Sequence, residues 1–255
     1  MSAHRRDFEP ASIPPWRSRR VVGQKWLVAA ALTASAITAS TALAAARPVV
    51  TEYERAVFGA VNTLPDALFA PMWLFQSTGV LAAPAVLAAA ALIFGRYRLV
   101  SGLLLLIPAK LVLERNILKS LIHRPRPAIV MPDPVLRDVP TAGLSFPSGH
   151  AIILFGMATL LSPYLTRAWR GAVFAFAALA AVARVYLGAH APLDVIGGGA
   201  AGVLLGAAIT LIVGASDHHS ETRTARRLTL VPRCRRADDL PRPTRTRSDV
   251  RSTKR

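Results

Sequence analysis

The sequence has little cysteine, few acidic residues and few aromatic residues. Cys234 is the single cysteine in 255 residues, which excludes an intrachain disulfide and a cysteine-based metal cluster. Lysine and arginine number 31 against 14 aspartate and glutamate residues, giving a formal net charge of +17. The excess lies mainly in the two ends, and the arginine-rich stretch from Arg223 to Arg251 contains no aromatic side chain to stack on bases. We therefore expect no nucleic-acid partner.

The rest of the sequence is rich in long apolar runs. Hydrophobic residues make up 53% of the chain, and the mean hydropathy is +0.39. Runs near the roughly 20 residues needed to span a bilayer begin at six positions: Trp26, Gly79, Leu99, Ala151, Gly171 and Leu193. We predict an all-α polytopic membrane bundle of about six transmembrane helices in residues 26–215. A basic N-terminal segment (1–25) and a basic disordered tail (216–255) flank it.

The first apolar run, Trp26 to Ala46, has two interpretations. It follows a basic region and ends in Ala44-Ala45-Ala46, as a cleaved signal peptide would. The run is long for a cleaved signal and its basic leader is extended, so we favour a retained anchor.

The distribution of basic residues predicts the orientation in the membrane. Several arginines precede the first run, and two pairs of arginines separate later runs: Arg96 with Arg98, and Arg167 with Arg170. The positive-inside rule places these segments in the cytoplasm. We therefore predict a multi-pass protein of the cell membrane with both termini cytoplasmic. Residues 119–150 and 188–194 then lie at the extracytoplasmic face.

Three polar blocks interrupt the apolar sequence and carry its chemistry. They are Lys119 with Arg126-Pro127, then Pro147-Ser148-Gly149-His150, then Arg184 with His190 and Asp194. A phosphoryl group in transfer spreads negative charge over its oxygens, so fixed cations and backbone N–H donors stabilise it. The cations can supply that charge, and the two arginines offer planar forks. The blocks together predict a phosphate-cleaving site.

Two helix starts contribute to this prediction. Ser148 precedes a long apolar run, so it is a candidate N-cap whose helix presents free N–H groups to an anion. His190 lies four residues before Asp194, and Pro192 between them suits the first turn of another helix. There the carboxylate can orient one imidazole nitrogen and leave the other free to attack phosphorus.

The order and spacing of the three blocks resemble the signature of the type 2 phosphatidic acid phosphatase superfamily, whose site is shared with vanadium-dependent haloperoxidases. The resemblance covers Lys119 to Asp194. It implies His190 as nucleophile, Asp194 as its orienting partner and His150 as the acid. It also implies a set of phosphate-binding residues: Lys119, Arg126, Ser148, Gly149 and Arg184. The third block commonly opens Ser-Arg in that family, and in this chain it is Ala183-Arg184; we expect this to affect substrate affinity more than chemistry.

The function predicted from these residues is that of an integral membrane lipid phosphatase without metal or cofactor. It would hydrolyse a phosphate monoester or diphosphate of an isoprenoid or glycerolipid through a phosphohistidine. A vanadate-dependent haloperoxidase-like enzyme is one alternative, which the multiple spans disfavour. A non-catalytic lipid-phosphate binding or transport protein is another, which the intact His150, His190 and Asp194 disfavour. Oligomeric state is not indicated by any pattern.

Other polar residues have simpler interpretations. Lys119, Arg124 and Arg126 could anchor a helix end at lipid headgroups. Lys110 and Glu114 are spaced to pair on one helix turn, and we expect His123 to be solvated. The segment Glu52–Asn62 predicts a short amphipathic helix in the outer interface, with apolar positions Tyr53, Ala56, Val57, Ala60 and Val61. Of its two roles, we favour packing onto the bundle over contact with substrate. The stretch from Ala128 to Phe146 predicts a loop over the site.

Overall fold

The computed structural model describes residues 24–215. Nearly all of the predicted basic segment 1–25, the predicted tail 216–255 and Cys234 lie outside the described residues. Between residues 24 and 215 the chain consists of helices and loops, and an isolated antiparallel bridge joins Pro125 to Leu144. This confirms the predicted all-α fold class.

The helices in chain order are α1 (Gln24–Ala45), α2 (Glu52–Asn62), α3 (Phe69–Ser77), α4 (Ala83–Ile93), α5 (Tyr97–Leu111), a π-helical segment (Val112–Leu118), α6 (Lys119–Leu121), α7 (Pro127–Val130), α8 (Gly149–Leu161), α9 (Arg167–Tyr186) and α10 (Pro192–Val213). Short 3₁₀ turns precede α3 at Asp66–Leu68 and follow α8 at Ser162–Tyr164. Each of the six predicted runs begins within four residues of a helix start.

Three helices within residues 24–215 are long and apolar enough to cross a membrane alone: Lys25–Ala45, Arg167–Tyr186 and Pro192–Val213. The second predicted run differs from expectation, because α4 has only 11 residues. Such a helix is roughly 16 Å long, about half the hydrocarbon core of a bilayer. It is preceded by α3, which was not predicted, across a turn at residues 78–82. Gly79 in this turn lies against His150 of α8. The turn between α3 and α4 therefore lies beside one of the predicted site residues.

Helices α8 and α10 pack closely because glycines line their contact. A Cβ on Gly202 would overlap the carbonyl oxygen of Ile152, and one on Gly206 would lie 2.8 Å from that of Gly156. Small residues let helix backbones approach in this way in membrane bundles. The approach also brings the two helix starts together, where the backbone N–H of Ser148 donates to the carbonyl of Asp194 at 2.9 Å. The N-terminal ends of α8 and α10 are therefore neighbours.

Helix α2 forms with the predicted bounds, and it packs on the bundle mainly through residues other than the predicted apolar positions. The buried residues are Glu54, Phe58 and Asn62, and Tyr53 is exposed. Glu54 and Asn62 are buried because they have polar partners on other elements. An apolar-periodicity argument misses a face whose burial depends on such pairing.

The α8–α10 contact gives a first prediction. Gly202→Ala should lower the stability of the protein in detergent by about 1–3 kcal/mol, because the added methyl forces the two helix backbones apart. The measurement is the midpoint of thermal unfolding. Gly171→Ala in α9 is the matched control, since nothing lies within 4 Å of its added Cβ. Equal destabilisation of both variants would contradict the close-packing argument.

Candidate active site

The three polar blocks meet at one end of the bundle. Ser148, Gly149 and His150 lie at the start of α8, and Asp194 lies in the first turn of α10. Arg184 lies in the last turn of α9, and His190 lies in the loop that follows this helix. The predicted residues thus come from separate helix ends that the tertiary fold brings together.

His190 and Asp194 are linked through a third residue. The Nδ1 atom of His190 is 3.7 Å from the Oδ2 atom of Asp194, which is too long for a direct hydrogen bond. Ser145 lies between them: its hydroxyl donates to Oδ2 at 2.5 Å and lies 3.4 Å from Nδ1. Since this hydroxyl proton points to the carboxylate, the serine oxygen is free to accept from Nδ1–H. Ser145 was not predicted, and no motif or spacing in the sequence marks it.

Asp194 is fully buried and its carboxylate has further donors. Oδ2 accepts from the backbone N–H of Ala191 at 2.8 Å, so the carboxylate caps the start of α10. Oδ1 accepts from Arg124 at 3.1 Å. The charge is therefore paired as well as hydrogen-bonded, the condition under which a buried carboxylate is tolerated.

Arg124 connects Asp194 to helix α2. Its second terminal nitrogen donates to Glu54 at 2.6 Å, and Glu54 also accepts from the backbone N–H of Leu193 at 3.1 Å. Burial opposes the charge of Arg124, but Asp194 and Glu54 outweigh it and raise the pKa of the guanidinium above its ordinary value. The headgroup-anchor interpretation of Arg124 is wrong, since its side chain is buried in this network. Glu54 was missed because it is distant in sequence from every motif.

His190 is buried and held in its neutral form. Burial lowers the pKa of His190 to about 4; the hydrogen bond and charge of Asp194 oppose this, while Arg184 and Arg126 add to it. A histidine with such a pKa is unprotonated near pH 7. Its ring can therefore offer a lone pair.

The start of α8 departs from prediction in one respect. Ser148 occupies the N-cap position, but its side chain makes no capping hydrogen bond. Its hydroxyl is buried and has no hydrogen-bond partner among residues 24–215. His150, two residues further on, lies against Gly79 and interacts electrostatically with Arg184 and His190.

The predicted phosphate-binding cations have partners of different kinds. Arg184 donates to the side-chain oxygen of Gln76 at 2.6 Å, while its Nε atom is buried without a partner in the described chain. Ala183, which stands where the family commonly has serine, is completely buried. Lys119 pairs with Glu114 at 2.6 Å, and the predicted pair of Lys110 with Glu114 also forms, at 2.5 Å.

Arg126 binds backbone carbonyls of two loops. It donates to Ala142 at 2.8 Å and to Ala189 at 2.9 Å, next to His190. Burial lowers the pKa of Arg126, and the charges of Asp194 and Glu114 oppose this. The guanidinium thus ties the loop before α8 to the loop before α10, a role that the motif did not indicate.

The segment predicted as a loop over the site is attached to the bundle at its middle. It contains the short helix α7, and its Val135 exchanges hydrogen bonds with the side chain of Asn62, donating at 2.8 Å and accepting at 2.9 Å. Arg137 donates to the carbonyls of Asn62 and Tyr186, both at 2.8 Å, and lies over the Tyr186 ring. These bonds fix the loop against α2 and the end of α9.

Residues 24–215 contain no group of three His, Cys, Asp or Glu side chains arranged to hold a metal ion. That the activity requires no metal stays a prediction.

Fold and site together define a helical membrane protein with a buried histidine–carboxylate pair and several cations at one end. A model of the PAP2 superfamily matches residues 90–217, half of the sequence. The chain belongs to the PAP2 superfamily and is a phosphoric ester hydrolase.

Two solved structures resemble the fold. LpxE of Aquifex aeolicus is 30% identical, with 62% of this chain and 92% of that chain covered and a TM-score of 0.52. A transmembrane PAP2-type phosphatidylglycerolphosphate phosphatase from Bacillus subtilis is 24% identical, with 71% and 94% covered and a TM-score of 0.56. The second similarity shows the fold alone. No curated sequence matches the chain.

The Arg124 network gives a second prediction. Glu54→Gln keeps the shape of the side chain but removes the charge that holds one side of Arg124, so Asp194 loses its fixed counter-ion. We expect kcat to fall about tenfold, or roughly 1.4 kcal/mol of transition-state stabilisation. Hydrolysis of a soluble aryl phosphate in detergent measures this. Glu52→Gln, exposed on the same helix, should leave kcat unchanged; similar losses in both variants would contradict the network.

Proposed function

We propose that this protein is a lipid phosphatase that cleaves a phosphate monoester or diphosphate through a phosphohistidine at His190. The observation that carries the proposal is the environment of His190. This neutral, buried histidine is fixed on its Nδ1 side by Ser145 and Asp194. Buried polar atoms of Ser148 and Arg184 without partners in the described chain lie in the same cluster of helix ends.

In the first chemical step, Nε2 of His190 attacks phosphorus. Its Nδ1–H is held by the Ser145 oxygen, which keeps the lone pair on Nε2. The new N–P bond forms as the P–O bond to the lipid breaks, and His150 gives its proton to the leaving oxygen. Backbone N–H groups at the start of α8, with Lys119, Arg126 and Arg184, stabilise the charge on the equatorial oxygens. Asp194 stabilises the positive charge that develops on the His190 ring.

In the second step, water hydrolyses the phosphohistidine. His150, now neutral, accepts a proton from water as the oxygen attacks phosphorus. The N–P bond breaks and its electron pair returns to Nε2. Inorganic phosphate and neutral His190 result, and His150 has regained the proton that it gave to the leaving oxygen, so the enzyme returns to its starting state.

A lipid substrate is supported by the apolar surroundings of the site. A groove of about 740 Å³ between α1, α2, α9 and α10 is lined by Val57, Val61, Pro192 and Val195, the last two soon after His190 in the chain. A hydrocarbon tail fits such a lining. The phosphatidylglycerolphosphate named for the Bacillus subtilis neighbour is a glycerolipid of this class. Isoprenoid diphosphates and glycerolipid phosphates such as phosphatidic acid are the candidate substrates.

We also propose that the site faces away from the cytoplasm. The arginine pairs around residues 96 and 167 lie at the ends of α4 and α9 opposite to the site, and the positive-inside rule favours a cytoplasmic position for them. An outward site would dephosphorylate lipids of the outer leaflet.

The third prediction concerns the nucleophile. His190→Ala should lower turnover of a lipid phosphate by at least about 10³-fold, because the N–P bond of the proposed intermediate forms at this residue. Wild-type enzyme denatured at alkaline pH, where the phosphohistidine P–N bond is stable, should carry radioactive phosphate on His190 after reaction with labelled substrate, with chelator present throughout. His123→Ala, an exposed histidine, is the control and should retain full activity. Label on any residue other than His190 would contradict the mechanism.

The fourth prediction concerns sidedness. In a Cys234→Ser background, Thr141→Cys should react with a membrane-impermeant thiol reagent in intact cells, because its loop lies on the side of the site. Thr166→Cys, equally exposed before α9, should react only after the membrane is opened. The reverse labelling pattern would place the site in the cytoplasm and favour lipids of the inner leaflet.

A further inference from the structure

The helix after α5 changes to π geometry between Val112 and Leu118, next to the site. In this segment the backbone N–H of Lys119 donates to the carbonyl of Glu114, five residues earlier. In an α-helix, residues five positions apart point roughly 140° away from each other, so their side chains diverge. The wider π turn instead brings the Lys119 ammonium to 2.6 Å from the Glu114 carboxylate. Single π turns within helices are frequent at functional sites.

The Glu114 carboxylate lies against the start of α8. A Cβ on Gly149 would be 2.8 Å and 2.9 Å from its two oxygens, so the absence of a side chain at this position permits the approach. Lys110 pairs with it from the preceding turn, and only 5% of the Glu114 surface is exposed. The positive end of a helix favours an anion. Glu114 is thus an anion of the protein itself beside the position proposed for the substrate phosphate.

Some hydrogen-bond donors near the start of α8 already have a partner and others do not. Lys119 is paired with Glu114, whereas the buried Ser148 hydroxyl and Arg184 Nε have no hydrogen-bond partner among residues 24–215. A phosphate at the start of α8 would meet these free donors but also a nearby carboxylate. The negative charges of a bound phosphate and of the nearby Glu114 carboxylate repel each other strongly where water is largely excluded. A phosphate that shares Lys119 with Glu114, or takes it from Glu114, would offset this repulsion.

We propose that Glu114 is a positioning residue that acts as an internal counter-anion. It holds Lys119 when the site contains no phosphate and competes with phosphate for this lysine. By doing so it limits how tightly the inorganic phosphate product is retained. This inference rests on the proposed phosphatase function and concerns the release half of the cycle.

The test measures the inhibition constant of inorganic phosphate against hydrolysis of an aryl phosphate in detergent. In Glu114→Gln, phosphate no longer competes with a carboxylate for Lys119. The inhibition constant should therefore fall about tenfold, which corresponds to about 1.4 kcal/mol of binding. KM should fall with it, and kcat should fall where product release limits turnover. Glu114→Asp retains the charge and should keep an inhibition constant near that of the wild type.

A second variant separates competition from net charge. The double substitution Lys110→Met with Glu114→Gln removes one positive and one negative charge, so the local net charge stays unchanged. Replacing a buried ion pair by neutral groups is also often tolerated, which keeps the test usable if the single variant does not fold. The inhibition constant should still fall, because Lys119 is free in this variant as well.

An unchanged or higher inhibition constant in the double variant would overturn the inference, because Glu114 would then only hold the helix together. That result with normal wild-type turnover leaves the proposed function intact. A wild-type protein that neither hydrolyses phosphate esters nor responds to inorganic phosphate would overturn the proposed function and this inference together.

Discussion

The buried carboxylate of Asp194 is the group on which the arrangement of this site depends. It accepts hydrogen bonds from three separate parts of the chain: the hydroxyl of Ser145, the backbone N–H of Ala191 and the guanidinium of Arg124. An isolated carboxylate at this depth would be strongly disfavoured, and it is stable in this position because each oxygen has partners and the charge has a counter-ion. The same bonds hold the loops before α8 and α10 in place. The hydrogen bonds that stabilise the Asp194 carboxylate are therefore the same bonds that position the loops of the site.

Close helix packing supplies the frame for that carboxylate. Glycines of α10 let its backbone approach α8, which sets the two helix starts side by side. Each start contributes a positive dipole end and free N–H groups. Charged groups in the same region are paired within the protein: Arg124 with Glu54 and Asp194, and Lys119 with Glu114. These ion pairs stabilise the buried cations of an anion-binding site inside an apolar bundle. The free energy of binding an anion therefore also depends on the carboxylates with which these cations are paired.

Much of the fold could be predicted because apolar runs of bilayer length report on burial in lipid directly. The helix starts near Trp26, Leu99, Ala151 and Leu193 follow from that signal. Helix α3 and the turn before α4 were not predicted, although Gly79 in that turn and Pro84 in the first turn of α4 are local signals for such a break. The buried residues of α2 could not be predicted either, because burial of Glu54 and Asn62 depends on partners far away in sequence. Periodicity measures apolar faces and is insensitive to such pairing.

By itself, the sequence determined the all-α membrane class, the three polar blocks and the family to which they point, because short motifs carry their own spacing. The i to i+4 pair of Lys110 with Glu114 was equally a local property of a helix. Only the tertiary structure decided that Ser145 bridges His190 to Asp194, that Arg124 joins Asp194 to Glu54, and that Arg126 binds loop carbonyls. It also decided the contact between Lys119 and Glu114, since an ordinary helix would hold these side chains apart. These contacts join segments up to 70 residues apart or require a non-α turn, and neither property is encoded in local spacing.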